Sequence, residues 1–222
     1  MIERNGKRMH ALFLYGVNCT KQIWDKLLPF LPTWNIEIAP YPHAVTEQAT
    51  CVSDLAKWIS EQTKEKQYDV IVGHSLGGLI ALKLAASSNF WAGTQIVCLD
   101  TNLKPAGAFF RNLMTPEHTE QYGAQIQAMM GPERLHYTPA LMQSVQGDFD
   151  YTDLLLQIEN PVHLLLGDRG QADAEEHIGE LHLSDAALEK LQIHFVPDSC
   201  HLPMIENSKQ LADILSLICR KR

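Results

Sequence analysis

The sequence has no long hydrophobic run. No apolar stretch approaches the roughly 18 to 20 residues of a membrane-spanning helix, and the opening "MIERNGKRMH" has no apolar centre of the kind a secretory signal needs. It also has no basic excess. Its 18 Lys and Arg stand against 26 Asp and Glu, a formal charge of −8, whereas a nucleic-acid binder normally shows a basic stripe. Among five cysteines and ten histidines there is no CxxC, no HExxH and no paired Cys/His spacing, so nothing points to a metal or a disulfide framework. The scattered Cys19, Cys51, Cys98, Cys200 and Cys219 read as reduced thiols of a cytoplasmic protein. G-x-G-x-x-G and G-K-[ST] are missing as well. The expectation is therefore a chain with no cofactor, no metal, no nucleic-acid partner and no membrane span.

What is present is an alternation of strands and helices. At 222 residues and 45% hydrophobic content, the chain suits one domain, or one domain with a small inserted lid. "MHALFLYG", "NIEIAPYP", "YDVIVG", "TQIVCLD", "PVHLLLG" and "LQIHFVPD" read as strands. Val52, Leu55, Ala56 and Ile59 fall at helical spacing within 47–66. "LIALKLAASS" and the amphipathic "SKQLADILSLICRKR", with its basic end, read as further helices. Strands that are apolar throughout and alternate with helices indicate a parallel sheet covered on both faces. From about Thr101 to Asn160 the rhythm breaks. That interval holds only helical patches such as "EQYGAQIQAMM" and "PALMQSV", and it is too long for a loop. It reads as a helical insertion over one end of the sheet.

One polar residue stands where two buried elements meet. Gly73-His74-Ser75-Leu76-Gly77, followed by Gly78, lies between the strand "YDVIVG" and the helix after it. A chain reversing sharply from strand to helix holds its central residue in a strained conformation, and side chains two positions away would collide across the turn. The helix starts just after Ser75, so its N-terminal dipole and free N–H groups favour negative charge near the serine oxygen. A capping serine in a glycine-rich helix start is the plainer alternative. His74 neighbours the serine, but side chains on such a turn point apart, so it is not expected to act as the base.

With "GHSLGG", the strand order, the helical insertion and a histidine near the end, the chain from Met9 to Cys219 resembles the α/β-hydrolase superfamily. The resemblance implies an α/β-hydrolase fold: a mostly parallel, doubly wound sheet of about six strands with a helical lid insertion. Residues 1–100 and 161–222 would form the core and 101–160 the cap. It implies Ser75 as nucleophile and His201, in the loop before the last helix, as base. Glu206 occupies the glutamate place of the family's His-x-x-x-x-Glu stretch. His163 and His194 sit inside strands, and His177 and His182 in polar helices, which makes them weaker candidates.

The family usually places its acid just after the strand read here as "PVHLLLG", but its commonest spacing falls on Gly170. Asp168 is taken as the acid, with Asp100 and Asp173 open as alternatives. The loop "FLYGVNCTKQIW" is similar to the family's His-Gly-x loop, with Tyr15 in the histidine place. The resemblance makes the backbone N–H groups of Val17 and Leu76 the oxyanion hole. Phe109, Phe110, Leu113, Met114, Ile126, Met129 and Met130 read as the insertion's own core, with an acyl pocket as the alternative. Cys19 and Cys200 read as packing residues.

The implied function is a serine hydrolase of the carboxylesterase or thioesterase kind. It would act on a small-molecule acyl substrate, a carboxylic ester or thioester, through an acyl-enzyme. A non-catalytic ligand sensor or partner-binding protein built on the same scaffold, or a lyase or C–C hydrolase using the same triad, is the alternative.

Overall fold

The computed structural model describes residues 8–87 and 91–220. The lead-in at 1–7, the end of the expected helix "LIALKLAASS" at Ser88 and the basic end at 221–222 lie outside them. Six strands form one all-parallel sheet: β1 (Met9–Leu14), β2 (Trp34–Ile38), β3 (Val70–His74), β4 (Gln95–Leu99), β5 (Val162–Gly167) and β6 (Leu191–Val196). Their order is β2-β1-β3-β4-β5-β6. The inner strands β3, β4 and β5 are buried along their whole length, which is why they read as unbroken apolar runs rather than alternating ones. The edge strands β2 and β6 are only partly buried and carry Asn35, Glu37, Gln192 and His194.

Ten α-helices accompany the strands among the described residues: α1 (His43–Thr46), α2 (Val52–Thr63), α3 (Leu76–Ser87), α4 (Ala108–Arg111), α5 (Pro116–Met130), α6 (Pro139–Gln146), α7 (Thr152–Gln157), α8 (Asp185–Leu188), α9 (Pro203–Glu206) and α10 (Ser208–Arg220). Helix α2 fills the inner part of 47–66 and starts at Val52, the first of the regularly spaced apolar residues. Asp54 accepts from the Thr50 and Cys51 backbone N–H groups at 2.8 and 3.3 Å, a local cap that fixes the first turn. The interval between β4 and β5 holds α4–α7 and no described strand. Polar 177–182 is largely a 3-10 helix, Ala174–Leu181. All five cysteines are free, and no described helix is long and apolar enough to cross a membrane.

This order places the site. The chain builds outward from β1 to β2, then returns to β3 on the other side of β1. In an open parallel sheet, a crevice forms at the carboxyl ends of the strands where the winding reverses. The loops after β1 and β3 flank it, and they carry Gly16-Val17 and His74-Ser75. Helix α3 packs hard against the sheet at this point. A Cβ on Gly77 would lie 2.3 Å from the Leu14 carbonyl oxygen, and one on Gly73 would lie 2.3 Å from the Gly77 carbonyl oxygen. Both obstacles are backbone, so neither can swing aside.

Gly77→Ala should therefore lower the unfolding free energy by about 1 to 3 kcal/mol, read from urea denaturation. A neutral result would mean that α3 stands further from β1 than described.

Candidate functional site

The turn after β3 behaves as its glycines require. Ser75 adopts φ 52°, a left-handed conformation that L residues rarely take. Its N–H donates to the Leu99 carbonyl at 2.9 Å, and its own carbonyl accepts from Thr101 Oγ1 at 3.2 Å. The strained residue is thus tied on both sides to the end of β4. It is not alone. Of the six non-glycine residues with positive φ among those described, Asn18, Ser75, Asp100, Arg169 and Asp198 all follow the carboxyl ends of strands, and only His182 does not. Backbone strain collects on the rim where the crevice lies, as it does at functional sites generally.

A cavity of about 390 Å³ opens at this rim and is lined by Ser75, His201, Asp100, Val17 and Leu76, a volume within the ordinary range for small-molecule sites. These residues come from four segments far apart in the chain. His201 Nδ1 lies 2.9 Å from Asp100 Oδ1. A carboxylate only accepts, so Nδ1 carries the proton and donates it, leaving Nε2 as the basic nitrogen. Leu76 opens α3, so its N–H is among the first four that have no partner within the helix.

Asp168 departs from its expected place. It is Asp100, at the end of β4, that meets His201, while Asp168 Oδ1 accepts from the Gly170 backbone N–H at 2.8 Å in its own turn. Asp173 is exposed. The loop after β5 instead delivers Arg169, a residue that pattern reading passed over. Its Nη1 and Nη2 donate to Asp100 Oδ2 and Oδ1, each at 3.0 Å, in a bidentate pair. The Gly167 N–H adds a further donor to Oδ2 at 3.1 Å. Both side chains are 1% exposed. Arg169 also donates to the Gly167 and Phe110 carbonyls, and its guanidinium sits 5.4 Å from the ring centres of Phe109 and Phe110. Burial opposes charge on Asp100, but the Arg169 charge and the hydrogen bond from His201 outweigh it and hold the carboxyl well below its ordinary range.

The neighbouring groups are braces rather than reagents. His74 donates from Nε2 to the His201 carbonyl at 2.9 Å, and burial, helped by His201, pushes its pKa down to about 3. It is a neutral strut against the His201 backbone. Glu206 Oε2 accepts from the Cys200 and Leu202 N–H groups at 2.7 and 3.1 Å, clamping the backbone on both sides of His201. Burial raises the Cys19 thiol to about 12 and the Cys200 thiol to about 11, which suits packing and not nucleophilic attack. Tyr15 turns inward, its hydroxyl accepting from the Tyr41 N–H at 2.8 Å. Of the apolar residues expected as the insertion's own core, Phe110 and Leu113 line the cavity. Phe109 and Ile126 are buried, and Met114, Met129 and Met130 pack half-buried against the core.

Among the described residues, one group could offer metal ligands: His118, Cys200 and Glu206, whose ligand atoms lie within 4.8 Å of one another. The Cys200 thiol already faces His118 Nδ1 at 3.5 Å, and Thr115 Oγ1 lies 2.8 Å from the same nitrogen. These contacts make the group part of the brace behind the His201 loop.

A strained serine after β3, a histidine before the last helix and the parallel sheet beneath them agree with a family model. Residues 33–214 match the model described as "Alpha/beta hydrolase family". The chain belongs to the alpha/beta hydrolase family. At that level it is a hydrolase. Comparison with curated proteins finds no match in sequence. Among solved structures, this hydrolase is similar to a lipase-esterase related protein from Clostridium acetobutylicum, at 16% identity and TM-score 0.64, covering 96% of each chain. It is similar to an N-acyl homoserine lactone degrading enzyme at 16% identity and TM-score 0.68, covering 95% of this chain and 93% of that one. It is also similar to the thioesterase domain from the curacin biosynthetic pathway at 12% identity and TM-score 0.66, covering 96% and 92%. These likenesses concern the fold.

The buried pair makes a stability prediction. Arg169→Met leaves the Asp100 charge without its counter-ion and should cost about 3 to 5 kcal/mol. The double variant Asp100→Asn/Arg169→Met should be less damaged than the sum of the two single changes. Denaturant unfolding of the three variants measures the coupling, and strict additivity would mean that the two residues do not interact.

Proposed function

We propose that this hydrolase cleaves carboxylic esters or thioesters of small to medium acyl groups through Ser75, His201 and Asp100. The observation that carries the reading is the 2.9 Å contact between His201 Nδ1 and Asp100 Oδ1, in a cavity that Ser75 also lines.

His201 Nε2 takes the Ser75 hydroxyl proton as the oxygen attacks the carbonyl carbon. Asp100 keeps the ring in the tautomer with Nδ1 protonated and stabilises the imidazolium that forms. The negative charge on the carbonyl oxygen falls to the backbone N–H groups of Val17 and Leu76, whose residues line the same cavity. Each such donor is worth roughly 3 kcal/mol of barrier. The tetrahedral adduct collapses, His201 returns its proton to the departing alcohol or thiol, and an acyl-Ser75 ester remains. Water, deprotonated by His201, then releases the acid and restores the serine.

Arg169 acts as a positioning residue. Through its two hydrogen bonds it fixes the plane of the Asp100 carboxylate, and so the direction in which His201 is held. Helices α4–α7 are the cap over this site, on a core formed by the described residues of 1–100 and 161–222. Free thiols throughout suit a reducing, cytoplasmic setting.

A fluorophosphonate probe should label the wild-type protein and fail to label Ser75→Ala. A folded wild type that resists labelling would favour a ligand-binding scaffold instead. Among the aspartates, Asp100→Asn should lower kcat by about 10⁴. Asp168→Asn should leave it within about threefold, under 1 kcal/mol. Steady-state turnover of a p-nitrophenyl ester reads both, and the reverse ranking would move the acid to the loop after β5.

A further inference from the structure

The cavity's charge does not follow the charge of the chain. Overall the protein is acidic, at −8, yet among the described residues the only acid lining the cavity is Asp100, which is spent on Arg169 and His201. Two cations line the same cavity, Lys104 and Arg111. Lys104 lies on the stretch leaving β4 and reaches Asp150 Oδ2 at 3.0 Å, while the other oxygen of Asp150 is taken by Thr152. Arg111 ends α4 and is exposed, and its guanidinium has no ion-pair partner among the described residues. Its sequence neighbour Phe110 forms apolar wall, with Leu113, Val145 and Phe149. Asn102 also lines the cavity, and its side-chain carbonyl oxygen is buried without a hydrogen-bond partner.

An apolar wall with cations on one side suits an amphipathic substrate. A guanidinium presents a planar fork of donors that matches a carboxylate or phosphate in two parallel hydrogen bonds. A concave site lined by one sign of charge also concentrates ligands of the other sign. With Asp100 paired to Arg169 and Lys104 to Asp150, Arg111 is the cation lining this site that has no carboxylate partner among the described residues.

We propose that the ester or thioester cleaved at Ser75 carries an anionic group, a carboxylate or phosphate, which Arg111 binds with Lys104 beside it. This rests on the hydrolase reading above and narrows its substrate class. The apolar chain packs on Phe110, Leu113 and Val145, and the charged end faces Arg111. The anion sits either on the acyl part, as in a half-ester of a dicarboxylic acid, or on the leaving group, as in a phosphorylated thiol.

Matched pairs separate these cases. For the acyl side, kcat/KM is compared for the p-nitrophenyl half-ester of glutaric acid and for p-nitrophenyl pentanoate. For the leaving group, it is compared for butanoyl-coenzyme A and for the butanoyl thioester of N-acetylcysteamine. At least one anionic member should be favoured roughly tenfold or more, the scale of a charge-assisted hydrogen bond. That ratio should collapse toward one in Arg111→Gln and be partly kept in Arg111→Lys. Ratios near one in both pairs, or a preference that Arg111→Gln leaves intact, would overturn the proposal. Binding to Ser75→Ala, measured by calorimetry, reads recognition without turnover. Either monomethyl glutarate should bind about tenfold tighter than methyl pentanoate, or butanoyl-coenzyme A about tenfold tighter than the butanoyl thioester of N-acetylcysteamine, and no preference in either pair overturns the proposal even if no ester is hydrolysed. Absence of turnover for every substrate by the wild type would instead count against the hydrolytic reading.

Discussion

One carboxylate holds the rim of this molecule together. Asp100 receives the Nδ1–H of His201, both terminal nitrogens of Arg169 and the backbone N–H of Gly167. These donors come from the loop after β6, the loop after β5 and the end of β5. The acid itself ends β4, whose Leu99 carbonyl also takes the N–H of Ser75. A buried charge with fewer partners would be costly, because its hydration is lost and only hydrogen bonds and counter-charge replace it. The site and the fold's polar accounting are therefore the same structure.

The same logic explains where strain is tolerated. Ser75, Asp100 and Arg169 all take left-handed backbone conformations, each disfavoured for a residue with a side chain. Each is also locked by several hydrogen bonds to a neighbouring strand end. Strained conformations persist when their surroundings over-determine them. Here the over-determination runs in a circle: Thr101 holds the Ser75 carbonyl, Ser75 holds the end of β4, and Asp100 holds the loops that carry Arg169 and His201.

Much of this was legible in the sequence, for local reasons. Each strand announced itself by a short apolar run, and all six runs became strands of the sheet. Ser75 stood out because glycines are needed where backbone approaches backbone, at Gly73 and Gly77. His201 followed from its place between the last strand and the last helix. The carboxylate that meets His201 was not legible, because carboxylates are common at strand ends and the contact between Asp100 and His201 spans 101 residues. A usable signal was present nonetheless. Asp100 directly follows a strand, Gln95–Leu99, that is buried along its whole length, where an acid is buried too, and Arg169 follows Asp168 in the loop after β5. A buried acid calls for a buried cation, and the arginine in that loop was the candidate. The bounds of α2 within 47–66 were not legible because the spacing of Val52, Leu55 and Ile59 reports a helix face and not its cap.

The central claim is that Asp100, not an aspartate of the loop after β5, holds the imidazole of His201 through its Nδ1 proton. Proton NMR of the imidazole N–H groups tests it most directly. A proton held between Nδ1 and a buried carboxylate exchanges slowly and resonates far downfield. The account predicts such a signal in the wild type and in Asp168→Asn, and its loss in Asp100→Asn with the fold intact. A signal that survives Asp100→Asn and disappears in Asp168→Asn would contradict it.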